Sequence, residues 1–379
     1  MGAELDTISN RGISVSHMAA QYGSGPMMAE LLRKGAPLFS TNSNGDTPLH
    51  FAAATGRSDV VEALLDFNAA QREDSLTEVR NSAGYAALHL ATIGGHLDTA
   101  QRLMDSNVSF CDTSAPHGMN AALLAADKGD IELLRLFIGR GCDLEGFSGN
   151  GMTALHYAAA NGHSDATIVL LEAGANTETK CLTNDWTALF YSTSNGHEVA
   201  SRSLLAKGAD MFSADSAGVS LVYYLIINDI AEGLRFLLDN GLSVEMADTF
   251  DQTLLHSTLR QKSPKVLQLL LMRGADPKSN AQGRSSTLHY AVHFDVDISA
   301  AALLVSHGAD INCQDSNGLT ALHVAAMQGK ESWVGILLSL GANMYLEDLL
   351  GQTPLQIAAL NNKSIIVTLL MCRDLQINP

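Results

Sequence analysis

Residues 149–176 read G-N-G-M-T-A-L-H-Y-A-A-A-N-G-H-S-D-A-T-I-V-L-L-E-A-G-A-N, and this stretch decides the fold. Gly151 suits the left-handed position of a tight turn, a conformation that costs glycine little. Thr153 is a good N-cap, and Ala154 to Ala160 then predict a short helix of small residues. Asn161-Gly162 stops that helix. Ser164-Asp165 starts a second one, with Ile168, Val169, Leu170 and Leu171 on its apolar side, and Gly174 ends it. Two helices of roughly eight to ten residues are too short to be stable alone in water. Such a unit has to stack on copies of itself.

The copies are present. With the slot of His156 as marker, the equivalent residues are His17, His50, His89, Leu123, His156, Phe190, Tyr223, His256, His289, His323 and Gln356. They are spaced 33, 39, 34, 33, 34, 33, 33, 33, 34 and 33 residues apart. The best tetrads are Thr47-Pro48-Leu49-His50, Thr153-Ala154-Leu155-His156, Thr320-Ala321-Leu322-His323 and Thr353-Pro354-Leu355-Gln356. Unit ends recur as Gly174-Ala175-Asn176, Gly208-Ala209-Asp210, Gly274-Ala275-Asp276, Gly308-Ala309-Asp310 and Gly341-Ala342-Asn343. A period of 33 carrying such tetrads resembles the ankyrin repeat. The resemblance implies an all-α solenoid of stacked helix-turn-helix units with short β-turn fingers. Over 1–379 it predicts a single array, with repeats beginning near 12, 45, 84, 118, 151, 185, 218, 251, 284, 318 and 351. The one long gap places a charged insertion at about 71–80, expected to lengthen a loop.

Composition bounds the function. A formal charge of −17 argues against a phosphate backbone or an anionic membrane as partner. It favours a protein partner with a basic or apolar surface, while serving equally as plain solubility for a chain that is 46% hydrophobic. Five cysteines (Cys111, Cys142, Cys181, Cys313, Cys372), an odd number without a close pair, predict reduced thiols in a cytoplasmic or nuclear setting. The start lacks the basic and apolar runs of a signal peptide, and Asp6 replaces the serine or threonine that myristoylation of Gly2 would want. The longest apolar stretch, Leu221 to Ile227, is too short to span a bilayer. Glycosylation-type triplets at Asn107 and Asn362 carry little without a secretory signal.

From Thr187 the pattern loosens. The histidine slot becomes Phe190 and then Tyr223, and the turn glycine becomes Asp185, Asp251 and Arg284. Such departures mark either drift or a functional region. Neither end shows an obvious polar cap, so either the end units cap themselves or the chain belongs with something larger.

No catalytic arrangement, cofactor motif or metal motif emerges. The resemblance implies that the tetrad histidines tie their turns to neighbouring backbone, and His96, His163 and His197 recur at the start of second helices. His197-Glu198 lacks the second histidine of a zincin, and Gly329-Lys330 lacks the flanking residues of a phosphate loop. The chain is not expected to be an enzyme. Leu304, Asp310, Ile311 and Asn312 fit the preference of asparaginyl hydroxylases that act on ankyrin repeats, which makes Asn312 a candidate for hydroxylation, although Asp-Ile-Asn is also ordinary repeat consensus.

Ankyrin arrays bind proteins with their turn tips and first-helix surface, the concave side. The residue before each N-cap projects from a tip, and from Tyr85 through Met119, Met152 and Trp186 to Val219 five consecutive tips are apolar or aromatic, with Phe250 extending the row. They form either an interface or side chains folded back to seal the turns. A second cluster is His293, Phe294, Leu319 and Met327. The expected function is a scaffold that regulates a partner by holding or masking it, as a signalling adaptor or transcriptional co-regulator. The alternative is the recognition arm of a larger complex, such as an innate sensor or a ubiquitin-ligase receptor.

Overall fold

The computed structural model describes residues 8–71, 76–106, 115–281 and 285–377. Asn107, Cys111, Arg284, residues 1–7 and the middle of the charged insertion, 72–75, lie outside them. The chain divides into two compact units, residues 1–218 and 219–379. The division falls where the seventh repeat begins.

In the first unit, the first helices are α1 (Val15–Tyr22), α3 (Pro48–Ala54), α5 (Ala87–Ile93), α7 (Ala121–Lys128), α9 (Ala154–Ala160) and α11 (Ala188–Ser194). Each alternates with a second helix: α2 (Gly25–Arg33), α4 (Ser58–Gln71), α6 (Leu97–Asp105), α8 (Ile131–Gly139), α10 (Ser164–Glu172) and α12 (Glu198–Ala206). First helices pack on first helices and second on second, giving two layers. The second unit repeats this scheme. Its first helices are α13 (Leu221–Ile227), α15 (Leu254–Gln261), α17 (Thr287–His293), α19 (Ala321–Gln328) and α21 (Pro354–Leu360). Its second helices are α14 (Ala231–Asp239), α16 (Pro264–Met272), α18 (Ser299–Ser306), α20 (Glu331–Ser339) and α22 (Ser364–Ile377).

The layers are thin because the first helices are built from small side chains. Ala52, Ala53, Ala125, Ala158, Ala159, Ala325 and Ala326 are fully buried, which lets helix backbones approach closely. The second helices supply bulk from one face, as in Leu133, Leu134 and Phe137 of α8 or Trp333, Val334 and Leu337 of α20. In the loosened units the alanine pair is replaced by Ser192-Thr193, Leu225-Ile226 and Thr258-Leu259, still buried.

Between units run the fingers. In the finger before α9, Gly151 N–H donates to the Ser148 carbonyl (2.8 Å) and Ser148 N–H to the Met152 carbonyl (3.0 Å). Gly151 has φ +78°, and a Cβ there would lie 2.3 Å from the amide nitrogen of Leu182, so the next finger sits directly against it. Neighbouring fingers are stitched by single backbone bonds, from Leu182 N–H to the Asn150 carbonyl (3.1 Å) and from Leu349 N–H to the Asn317 carbonyl (3.0 Å). Where glycine is missing the backbone is still left-handed: Asp185, Asp229, Asp251, Lys262 and Asp295 have φ between 53° and 60°. Each carries a steric cost of about 1 kcal/mol that glycine would not. The charged insertion goes partly into helix rather than loop: α4 runs 14 residues, and Leu76–Glu78 form a 3-10 turn with Leu76 buried.

Candidate functional site

Where the slot holds a histidine, its ring ties down the tip of the next repeat. Thr153 N–H points at His156 Nδ1 (3.2 Å), and because a backbone N–H can only donate, Nδ1 must be the acceptor. The proton of the neutral ring is then on Nε2, which donates to the Trp186 carbonyl at the next tip (3.0 Å). The same latch joins His17 to Asp46, His50 to Tyr85, His289 to Leu319 and His323 to Gln352 at 2.7–3.1 Å. Burial lowers the pKa of all these histidines below the usual 6.5. His256 is the exception in geometry: its Nε2 is buried and completes no hydrogen bond. Burial there depresses the pKa to about 4, against the opposing pull of the Ser285 carbonyl and the Asp248 charge.

Latches hold the carbonyls of Tyr85 and Trp186, and the other tips of the row lie low as well, which changes the picture of an exposed apolar row. Met119 and Met152 are only 8% exposed, lying flat where an unbranched thioether fills the gap between fingers. Tyr85, Trp186 and Val219 are half-buried. Trp186 stacks on Phe190 (centroids 4.2 Å, planes 16° apart) and meets Tyr191 edge-on at 5.3 Å. Tyr191 in turn contacts Cys181 Sγ through its hydroxyl (3.4 Å), and burial pushes its pKa up to about 12. Phe250 does stand out, 55% exposed, from the finger of the next unit's second repeat. Phe147, Leu182, Leu349 and Leu350 are also exposed finger residues. Sequence reading passed over them because it tracked only the position before the N-cap.

Within the second unit, Phe294, His293, Leu319 and Met327 do come together. With Tyr290 and Asp315 they line an open cavity of about 400 Å³ between the repeats of α17 and α19. The Phe294 ring lies 5.7 Å from Tyr290 and 4.9 Å from His293. His293 Nδ1 accepts from Gln328 Nε2 (3.3 Å), which fixes the rim. Asp315 opens the finger: its Oδ1 accepts from the amides of Asn317 (2.8 Å) and Leu319 (2.9 Å). Tyr290 and Asp315 were not singled out from sequence; the available signal was that Tyr290 follows the slot histidine and Asp315 begins the finger.

A smaller cavity of about 160 Å³ lies in the same unit between the repeats of α13 and α15, lined by Tyr223, Met246, Asp248, Gln252 and Arg260 among others. Arg260 donates to the Tyr223 hydroxyl (3.1 Å) and to Gln252 Oε1 (3.4 Å), and its guanidinium carbon is 5.9 Å from the Tyr223 ring centre. Asn312 is half-buried, and its Oδ1 accepts from the Asn343 amide (2.8 Å). Among the described residues no three His, Cys, Asp or Glu side chains gather as a metal site, and no helix is long and apolar enough to cross a membrane.

The family model for ankyrin repeats (3 copies) matches residues 16–115, 103–181, 122–215 and 288–379. The chain is 31% identical over 121 residues to a putative palmitoyltransferase, ZDHHC13, of Danio rerio, which is 31% of this chain. It is 23% identical over 340 residues, 86% of its length, to the E3 ubiquitin-protein ligase KEG of Arabidopsis thaliana. It spans only 18% of the length of either relative. Among solved structures, the human ASB11 ankyrin repeat domain is similar with TM-score 0.47 and 24% identity, over 59% of this chain and 99% of that one. Matched over well more than half its length by the family model, and built in its described residues from stacked helix pairs and fingers, this chain belongs to the ankyrin-repeat family.

Proposed function

We propose that the chain is a non-enzymatic module that regulates a protein partner by holding or masking it on the face of turn tips and first helices. Ankyrin repeats are protein–protein interaction modules, and the observation that carries the reading here is the open cavity at the Leu319 finger. Its aromatic and apolar walls with a few polar groups at the rim are the composition of a binding site. The finer role we propose, a signalling adaptor or transcriptional co-regulator of cytoplasm or nucleus, rests on analogy within the ankyrin-repeat family. One observation favours a second reading, the recognition arm of a larger machine such as a ubiquitin-ligase receptor: the relatives, a ubiquitin ligase among them, extend far beyond the matched stretch.

A crosslinking pull-down from native extract tests both readings, comparing the wild type with Met327→Arg and Trp186→Ala variants that are verified to remain folded. A partner captured by the wild type and lost from Met327→Arg supports the first. Catalytic subunits among the captured proteins support the second. Identical capture by all three proteins sinks the assignment to this face.

A further inference from the structure

The two cavities of the second unit occupy the same register, one pair of repeats apart. Counted from the N-caps Thr253 and Thr320, Asp248 corresponds to Asp315, Gln252 to Leu319, Ser257 to Val324 and Arg260 to Met327. In the smaller cavity the chain fills its own space: the Arg260 guanidinium sits beside the Tyr223 ring in a pocket that Asp248 also lines. In the larger one Met327 stands where Arg260 stands, and the space is open. The ring differs: Tyr223 holds the slot that His289 holds here, and His289 is bonded to the Leu319 carbonyl. Asp315 keeps its place, and no cation pairs with it among the described residues. Of the neighbouring bases, His289 is bonded to the Leu319 carbonyl, His293 is tied to Gln328, and Lys330 is engaged by the Val292 and His293 carbonyls and by Asp295. Tyr290 and Phe294 supply ring faces, and Leu319, Val324 and Met327 an apolar floor.

We propose that this cavity seats an arginine side chain from an extended segment of the protein partner. The aliphatic stem would lie along Leu319 and Met327, and the guanidinium against Asp315 and the rings of Tyr290 and Phe294 that line the same cavity. Arginine suits the site better than lysine because its planar head stacks on rings while bonding a carboxylate. The net charge of −17 draws a basic segment to the surface. The proposal rests on the reading of this face as protein-binding and adds the chemistry of what it holds.

The test uses the labelled full chain on immobilised pools of short peptides with randomised flanks and a central arginine, lysine, citrulline or leucine. The arginine pool is expected to capture about fivefold or more protein than the citrulline or leucine pool, a charge-pairing effect. Asp315→Asn keeps the oxygen that accepts from the finger amides while removing the charge, so it should erase the preference without moving the melt. Met327→Arg places the chain's own guanidinium in the cavity and should abolish arginine capture. Arginine preference that survives in Asp315→Asn overturns the assignment. A leucine pool that binds as well as arginine, with binding lost in Met327→Arg, overturns the arginine and leaves the protein-binding face standing. No capture of any pool by the wild type overturns both.

Discussion

Trp186 and Leu319 hold the same place in their fingers and the same backbone duty, each carbonyl accepting from the preceding slot histidine. Their side chains meet different fates. At Trp186 the tip is closed, because the slot of its own repeat carries Phe190 and the indole stacks on that ring. At Leu319 the slot keeps its histidine, the bulky rings belong to the preceding first helix, and a cavity opens between them. A tip is therefore available or used up according to what stands beside it on the first helices, not according to its own hydrophobicity.

The sharpest way to break this comparison is to remove the ring on each side. Phe190 is buried, so Phe190→Ala should cost about 3–5 kcal/mol and melt its neighbourhood, whereas Phe294→Ala at the open cavity should cost only about 1 kcal/mol. Chemical denaturation of the two variants decides it, and equal losses would mean that the cavity is as structural as the closed tip.

Acid gives the next largest effect, and it separates the complete latch from the incomplete one. His256 has its folded pKa lowered to about 4, so between pH 6.5 and 4 the unfolded chain binds the extra proton. Its contribution is thus fully present above pH 6.5 and is lost as pH falls toward 4, a loss of up to about 3 kcal/mol. Gln356 shows that glutamine can serve the slot, its Oε1 accepting from Thr353 N–H (2.8 Å). Melts across this pH range should accordingly be flatter for His256→Gln than for the wild type; identical curves would place the acid sensitivity elsewhere. Trp186→Ala comes below the acid effect: a half-buried stacked ring predicts a loss of about 1–2 kcal/mol in chemical denaturation, between that of an exposed anchor and that of a core residue.

Much of this was legible in the sequence because it is local. Thr153, Asn161-Gly162 and Gly174 bracket the helices observed at Ala154–Ala160 and Ser164–Glu172, since caps and stops act within a turn of the residues that carry them. The period carried the stacking. The lie of the tip side chains was not legible, because it depends on contacts about one repeat away: Met119 and Met152 look like exposed tips in the sequence and are only 8% exposed in the fold. The Asp315 cavity was half legible. Its aromatic and apolar members could be grouped by repeat position, but seeing that Met327 takes the place of Arg260 required the filled and open copies side by side.

The latch also bears on how the fingers are held. Each slot histidine grips only the tip of the following repeat, so the fingers are joined one pair at a time, by clasps added to the packing of the helix layers. The clasps are uneven along the second unit: Tyr223 holds a slot without a histidine, and the His256 ring completes no hydrogen bond, while His289 and His323 each hold the next tip.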